Sequence, residues 1–153
     1  MQNRVQTLIQ SKVSLAPMAG ITDYVLRSLV RKYSKNALLT TEMISSEFLA
    51  QVKGGDITKR DTDHSPISYQ ISGHKPHLMR AAAEYLTPFA DMIDINMGCP
   101  VNKVVKGQDG CSLMRNPSLA ADLEKAVKDG TDKRSEEHTS ELQSRDSISY
   151  AVF

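Results

Sequence analysis

The sequence predicts an α/β fold in which parallel strands alternate with helices, and two observations support this prediction. Short apolar runs alternate with helical patterns along residues 1–133, in the order β-α-β-α-β-α-β-α, and such alternation implies a parallel sheet covered by helices. The unusual residues follow the predicted strands, where the ligand sites of such folds collect. The pattern alone fits both a small doubly wound sheet and the first half of an eight-stranded barrel.

The first predicted unit is a strand followed by an amphipathic helix. The strand lies within residues 12–20 and ends at Pro17. The helix covers residues 22–33, and Thr22 or Asp23 is its candidate N-cap because a short polar side chain can accept a free backbone N–H. Its predicted buried face contains apolar residues at helical spacing: Val25, Leu26, Leu29 and Val30.

Two further units follow with the same alternation. Residues 36–43 predict a second strand, and a polar, helical stretch then continues to about Lys53. Residues 65–73 alternate and are rich in β-branched and aromatic side chains, which indicates a third strand. Pro76 suits the first turn of the next helix, because the missing N–H of a proline is not needed there.

The fourth unit contains the most informative stretch of the chain. Residues 90–96 predict a strand, and residues 117–129 predict a helix with Ser118 or Asn116 near its cap. Between them, an apolar run ends abruptly at Asn-Met-Gly-Cys-Pro, residues 96–100.

Composition is that of a soluble, cytosolic protein with one ordinary domain. The chain has 153 residues, of which 40% are hydrophobic, and no apolar run approaches the roughly 20 residues of a membrane helix. The N-terminus lacks the apolar centre of a signal peptide. Cys99 and Cys111 are its only cysteines and have no zinc-site spacing. A disulfide is not expected in the cytosol, so neither metal nor disulfide is predicted and a reactive thiol remains possible.

Residues 134–153 differ in composition from the rest and are expected to be an artefactual, disordered tail. RSEEHTSELQS, at Arg134–Ser144, and ISYAVF, at Ile148–Phe153, are identical to in-frame translations of two parts of a sequencing-library adapter. The tail holds two of the 19 basic and four of the 18 acidic residues, which leaves 17 against 14, or +3, for residues 1–133. That mild excess is compatible with a nucleic-acid partner but does not argue for one.

Three positions after or within the strands are candidates for chemistry, and each also has an ordinary structural explanation. The Ala16–Gly20 turn either lets backbone N–H groups approach a flat ligand or is a plain strand-to-helix turn. Gln70 is a polar residue in an apolar strand, which suits either a flavin or uracil edge or a capping or surface role. Cys99, between Gly98 and Pro100, either points its thiol into the ligand crevice or packs as a hydrophobe.

The segment IDINMGCPVNKVVKGQDGC, residues 93–111, resembles the signature of the tRNA-dihydrouridine synthases. The signature places Asn-x-Gly-Cys-Pro after an apolar residue, an acid or Gly, and a second apolar residue. The matching positions are Ile93, Asp94, Ile95, Asn96, Gly98, Cys99, Pro100, Val104, Gly110 and Cys111. Segments 15–23, 41–46 and 69–73 resemble the family in the same order, so the resemblance spans about residues 10–130.

This resemblance implies an FMN-bearing (β/α)₈ barrel of the TIM type followed by a helical RNA-binding domain. The family reduces the 5,6 double bond of a uracil in tRNA, with NADPH or NADH as the reductant. The partner implied is therefore tRNA, without a membrane or a metal, and a monomer is expected for the full-length protein.

The resemblance also implies a role for each matched site residue. Gln70 would hydrogen-bond the flavin ring, Asn96 would help to hold the uracil, and Cys99 would donate a proton. A free thiol, with an ordinary pKa of about 8.5, is acidic enough to donate to C5 of the ring. Cys111 matches a small-residue position and is expected only to pack. The residues expected to line the flavin are Pro17, Met18 and Ala19.

Residues 1–133 supply only about four βα units, whereas a (β/α)₈ barrel typically needs about 250 residues. The lysine and arginine of the family's fifth strand, and a histidine beyond it, have no counterpart here. Loops after strands seven and eight usually bind phosphate in such barrels. We therefore expect the first half of a barrel, with an open four-stranded sheet and one unclosed apolar face. It would line the flavin ring without gripping the phosphate.

Overall fold

The computed structural model describes residues 13–52, 64–132 and 151–152. Its strands are β1 (Ser14–Leu15), β2 (Leu38–Thr40), β3 (Ile44–Ser45), β4 (Ile67–Ser72), β5 (Met92–Ile95) and β6 (Ala151–Val152). Its helices are α1 (Tyr24–Tyr33), α2 (Ser46–Gln51), α3 (Pro76–Leu86), α4 (Asn102–Lys106), the 3₁₀ helix η1 (Gly110–Arg115) and α5 (Pro117–Asp129).

The order of the parallel strands distinguishes between the two predicted architectures. β1, β2, β4 and β5 lie side by side in that order, and each pair is parallel. A doubly wound sheet reverses its strand order at a switch point, and these four strands contain no reversal. The sheet therefore winds in one direction, as a (β/α)₈ barrel does, and the predicted partial barrel is confirmed.

The predicted second strand is divided into two short pieces. Leu39 of β2 pairs with Ile67 of β4, and Ile44 of β3 pairs with Ile71 of the same strand. β3 therefore continues the line of β2 after an interruption at residues 41–43. The interruption lies at the carboxyl end of β2, where side chains can reach the predicted ligand side of the sheet.

The hydrophobic core lies between the sheet and helices α3 and α5. Alternate residues of β4 and β5 enter it, because successive side chains of a strand point to opposite faces. The core-facing strand residues are Ile67, Tyr69, Ile71, Ile93 and Ile95, and the helices supply Met79, Ala82, Ala83, Leu86, Leu123 and Val127. The opposite face is buried too, but much of it is polar: Thr40, Ser68, Gln70, Ser72 and Asp94. The face that we expected to be apolar is therefore mixed, since Leu38 and Met92 also lie on it.

Helix α1 has a different orientation from the one that its apolar spacing predicted. Asp23 is its N-cap, and the Asp23 side chain accepts the Leu26 N–H at 2.9 Å. Val25 and Leu29, which we expected to be buried, are 70% and 48% exposed. Arg27 is buried instead, because its Nη1 donates to the carbonyl of Thr22 at 2.6 Å. The buried side of α1 therefore contains the hydrogen-bonded side chain of Arg27, where the apolar pattern predicted packing of Val25 and Leu29.

The predictions for α3 and α5 are confirmed in detail. Pro76 occupies the first turn of α3. The bounds of α5 are Pro117–Asp129, as predicted, and Asn116 is its N-cap, with Oδ1 accepting the Leu119 N–H at 3.2 Å. Helix α4 and helix η1 were not predicted, and they fold the segment after β5 back toward the sheet.

Strand β6 comes from the tail that was expected to be disordered. Val152 pairs with Asp94 and Ala151 with Ile95, antiparallel to β5. These two residues therefore pair with the edge of the sheet, the rest of 134–153 lies outside the described residues, and the disordered tail stays a prediction. An edge strand offers unpaired N–H and C=O groups to any extended segment, which accounts for the pairing without any side-chain recognition.

No helix in the described part of the chain has the length and apolar character needed to span a bilayer.

Candidate active site

The predicted site residues lie at or near the carboxyl ends of neighbouring parallel strands. Residues 16–20 follow β1, Gln70 lies in β4, and residues 96–99 follow β5. A cavity of about 100 Å³ opens on the same polar face of the sheet. Its lining consists of Ser14, Leu15, Ala16, Pro17, Leu38, Thr40, Ser68, Met92 and Asp94.

A chain of side-chain hydrogen bonds crosses this face from β4 and β5 to Cys99. The Nε2 of Gln70 donates to Oδ2 of Asp94 at 2.7 Å, and the Nδ2 of Asn96 donates to Oε1 of Gln70 at 2.9 Å. The Oδ1 of Asn96 then accepts two backbone N–H groups, from Gly98 at 3.2 Å and from Cys99 at 2.9 Å. Asp94, Gln70 and Asn96 are all buried. This series of hydrogen bonds therefore holds the Cys99 backbone from the buried polar face of the sheet.

The direction of this chain is fixed at both of its ends. An ionised carboxylate only accepts hydrogen bonds, so Gln70 must turn its NH₂ group toward Asp94 and its oxygen toward Asn96. At the other end, backbone N–H groups only donate, so Asn96 must turn its oxygen toward Gly98 and Cys99. The two requirements agree, and neither amide can flip without losing a bond.

Asp94 is the buried titratable group of the site. Burial raises the pKa of Asp94 from its ordinary value of 3.8 to about 6, although the hydrogen bond from Gln70 lowers it. Its second oxygen, Oδ1, and the nearby Ser68 Oγ have no hydrogen-bond partner among the residues that the structure describes. Both residues line the cavity, so the cavity wall carries unused polar capacity where a ligand with donor groups could bind.

The carbonyl side of Cys99 is held by the segment that folds back through α4 and η1. The N–H of Cys111 donates to the Cys99 carbonyl at 3.1 Å. Gly110 has a φ of +60°, and a Cβ atom there would lie 2.6 Å from that same carbonyl oxygen. Glycine is therefore needed both for its backbone shape and for the close approach. Both backbone groups of Cys99 are thus fixed, and its side chain is half-buried.

The turn after β1 is held by its own hydrogen bonds and by Glu42. The Met18 N–H donates to Thr22 Oγ1 at 2.9 Å, and the same hydroxyl donates back to the Met18 carbonyl at 3.1 Å. The Gly20 N–H donates to Oε1 of Glu42 at 2.6 Å, which ties the turn to the end of β2. Met18 and Ala19 remain exposed on this fixed turn.

The structure brings together some of the predicted site residues and separates others. Gln70, Asn96 and Cys99 are joined in one hydrogen-bond chain. Pro17 lines the same cavity as Asp94. Met18 and Ala19 lie on the turn after β1, and the hydrogen bonds described here connect that turn to Thr22 and Glu42 rather than to Cys99.

Sequence reasoning missed two residues that position this site. Asp94 was noted only as part of the signature, and Glu42 was covered only by segment 41–46, which was noted for its resemblance to the family. A signal existed for Asp94, because a carboxylate inside the apolar run Met92 to Ile95 needs a partner as much as Gln70 does.

The remaining hydrogen-bond capacity of the site fits a flat ring with a polar edge. Gln70 retains one N–H and one oxygen lone pair, and Asn96 retains one N–H, because an amide can donate twice and accept twice. The cavity adds the unpartnered oxygens of Asp94 and Ser68. Within residues 13–52 and 64–132, no group of three or more His, Cys, Asp or Glu side chains is placed to hold a metal ion.

Comparison with known proteins gives a consistent family. Residues 14–142 match the family model described as "Dihydrouridine synthase (Dus)". The chain is 39% identical over 121 residues to "Probable tRNA-dihydrouridine synthase 1" of Synechocystis, covering 78% of this chain and 34% of that protein. It is 40% identical over 124 residues to "tRNA-dihydrouridine synthase B" of Shewanella oneidensis, covering 78% and 38%.

A more distant relative matches the same part of the chain. "tRNA-dihydrouridine(20/20a) synthase" of Escherichia coli K12 is 34% identical over 119 residues, covering 77% of this chain and 34% of that protein. The chain thus spans about a third of the length of these curated relatives. With the family model matching most of the chain, and with the partial barrel and the Asn-x-Gly-Cys-Pro strand end in place, this protein belongs to the dihydrouridine synthase family.

Proposed function

We propose that the complete protein reduces uridine in tRNA to 5,6-dihydrouridine, with FMN as its cofactor and NADPH or NADH as the reductant. The names of the relatives support the substrate and the product. The cofactor is supported by the spare amide hydrogen-bond capacity of Gln70 and by the Asp94 and Ser68 oxygens that line the cavity without a partner among the described residues. A tRNA substrate also supports a cytoplasmic location.

The observation that carries the proposal is the fixed backbone of Cys99. Its N–H is held by Asn96 and its C=O by the Cys111 N–H, so a half-buried thiol is kept at the carboxyl end of β5. In this proposal Cys99 is the catalytic acid that gives its S–H proton to C5 of the uracil. A positioned acid of this kind typically contributes about 10²–10⁴-fold to a rate.

The other site residues have binding roles in this proposal. Bound flavin would supply the hydride that reaches C6 of the uracil. Gln70 would use its free N–H and lone pair on the flavin edge, and Pro17, Met18 and Ala19 would line the ring. Asn96 would offer its one free N–H to a uracil oxygen while it continues to hold Cys99. Asn96 therefore both binds the substrate and positions the acid.

The relatives' additional length suggests where the remaining contacts come from. Loops after strands seven and eight usually hold phosphate in (β/α)₈ barrels, and we propose that they hold the FMN phosphate here. We also propose that a domain beyond the barrel reads the tRNA, and that the complete protein is a monomer.

A chimera tests this function. Residues 13–132 would replace the matching segment of the Shewanella oneidensis enzyme. The chimeric protein would then be supplied with NADPH and with tRNA that lacks dihydrouridine. We expect bound FMN, identified by absorbance and mass, and dihydrouridine in the tRNA. A chimera that binds FMN and reduces free uracil or an enone, but not tRNA, would instead support a small-molecule reductase.

A further inference from the structure

Outside the proposed roles, a hydrogen bond between His74 and Asp109 joins two parts of the chain that surround the site. The Nδ1 of His74 lies 2.9 Å from Oδ1 of Asp109, and the two side chains are 24% and 18% exposed. His74 follows β4 by two residues, and Asp109 immediately precedes η1. The pair therefore connects the end of a core strand to the segment that returns to Cys99, which we call the Cys99 loop (residues 98–111).

The geometry of Asp109 shows that its side chain is committed to this bond. Asp109 occupies the N-cap position of η1, where an Asp side chain usually accepts a backbone N–H, yet it makes no such cap bond. Its backbone is bonded within the loop and η1 instead, with its N–H donating to the Val104 carbonyl at 3.1 Å and its carbonyl accepting from Ser112 Oγ at 2.8 Å.

From Asp109 the connection to Cys99 is only two residues long. Gly110 packs directly against the Cys99 carbonyl, and the Cys111 N–H donates to it. Movement of Asp109 is therefore transmitted to the carbonyl side of Cys99. The Asn96 amide holds only the opposite, N–H side.

We infer that His74 and Asp109 are positioning residues that fix the Cys99 loop against the end of β4 and so hold the thiol in place. This inference rests on the proposed function of Cys99 as the acid. Neither residue needs to touch substrate or flavin. The pair acts through Gly110 and Cys111 on the backbone of Cys99.

A neighbouring ion pair supplies a matched control. Lys75 Nζ lies 2.6 Å from Oε1 of Glu47 and links α2 to the start of α3. It lies beside the His74–Asp109 pair, since both Glu47 and Lys75 influence the pKa of Asp109. It makes no hydrogen bond to the Cys99 loop among the described residues. Removing Glu47 therefore changes the local charge without cutting the connection to Cys99.

Amide hydrogen exchange of the 153-residue chain tests the inference without flavin or tRNA. The variants are Asp109→Ala, His74→Ala, the double variant, Asp109→Asn and the control Glu47→Ala. We expect Asp109→Ala and His74→Ala each to speed exchange in residues 98–111 by roughly tenfold, as the loss of a charged hydrogen bond implies. The double variant should be no faster than either single variant.

Two further comparisons separate positioning from general stability. Exchange in α3 and α5 should stay at the parent level, and Asp109→Asn should restore much of the loop protection because its amide oxygen can still accept from His74. Three results would overturn the inference. The effects of the two single variants on loop exchange could add in the double variant, Glu47→Ala could speed loop exchange as much as they do, or the loop of the parent chain could be unprotected. The exchange experiment and the chimera can also disagree. If protection of the loop depends on the pair but the chimera fails to reduce tRNA, only the proposed function is refuted.

Discussion

The side-chain oxygen of Asn96 lies 2.9 Å from the backbone nitrogen of Cys99 and accepts its N–H. Through its Nδ2, the same amide donates to buried Gln70, which in turn donates to buried Asp94. The backbone of Cys99 is therefore fixed by polar contacts on the inner face of the sheet.

Asn96→Ala should loosen the site and destabilise the protein. The change removes two bonds to backbone N–H groups and leaves the buried Oε1 of Gln70 without its partner, which together cost about 3 kcal/mol. Urea unfolding measures this cost. Asn116→Ala is the control, because it removes a similar but exposed cap bond to Leu119 and should cost only about 1 kcal/mol. Equal losses in the two variants would show that burial of the Asn96 amide does not matter.

Asp94→Asn should change the pH dependence of stability. Because burial raises the pKa of Asp94 to about 6 in the folded state, the folded protein binds this proton more tightly than the unfolded chain does. The stability from this group is then complete below about pH 4 and is lost as the pH rises through 6, by about 3 kcal/mol.

The variant should therefore be more stable than the parent at pH 7.5 and should lack this fall between pH 4 and 6. Urea unfolding at several pH values measures both effects. Asp122→Asn, on the exposed side of α5, is the control for the change in net charge. A parent whose stability rises between pH 4 and 6 while that of Asp94→Asn stays level would contradict the prediction.

Gly110→Ala should cost much more than Gly20→Ala, although both glycines have positive φ, +60° and +73°. An added Cβ at Gly20 meets nothing within 4 Å, so only the left-handed backbone costs energy there, about 1–2 kcal/mol. At Gly110 the Cβ would also lie 2.6 Å from the Cys99 carbonyl oxygen, which raises the cost to roughly 3 kcal/mol or more. Thermal or urea unfolding compares the two, and similar losses would argue against close packing of the loop.

Cys99→Ala should abolish most tRNA reduction in the chimera while FMN binding and NADPH oxidation stay nearly intact. The expected loss is roughly 10²–10⁴-fold in the single-turnover oxidation of the reduced enzyme by tRNA. Cys99→Ser should restore little, because a hydroxyl is a much weaker acid. Cys111→Ala should be nearly silent, since its backbone N–H, which bonds Cys99, is retained. An unchanged rate in Cys99→Ala would end the assignment of Cys99 as the acid.

Local patterns predicted those elements whose signals lie within a few residues. The cap at Asn116 and the proline at the start of α3 are of this kind, and both were confirmed. The orientation of α1 was not predictable in this way, because the apolar spacing of Val25 and Leu29 gave no sign that Arg27 would bond Thr22 and occupy the buried side.

The sequence named candidate site residues one by one, but it could not predict how their side chains connect. Gln70 and Asp94 are direct partners in the β4–β5 ladder, yet they lie 24 positions apart in the sequence. Only the register of the parallel pair brings the two side chains together on one face. The His74–Asp109 contact likewise depends on the return of the Cys99 loop, which helices α4 and η1 produce and the sequence did not predict.

The pairing of β6 with β5 has a consequence for any attempt to extend the sheet. Ala151 and Val152 occupy backbone groups of β5 in the antiparallel direction, whereas the strands of a (β/α)₈ barrel are parallel. A segment on the same chain competes at an effective concentration that reaches the millimolar range for short tethers. A second half of the barrel that is added separately would be present at micromolar concentration. The effective concentration of the tethered segment at this edge would thus be roughly a thousandfold higher. Complementation by separate halves should therefore work better with a chain that ends before residue 134.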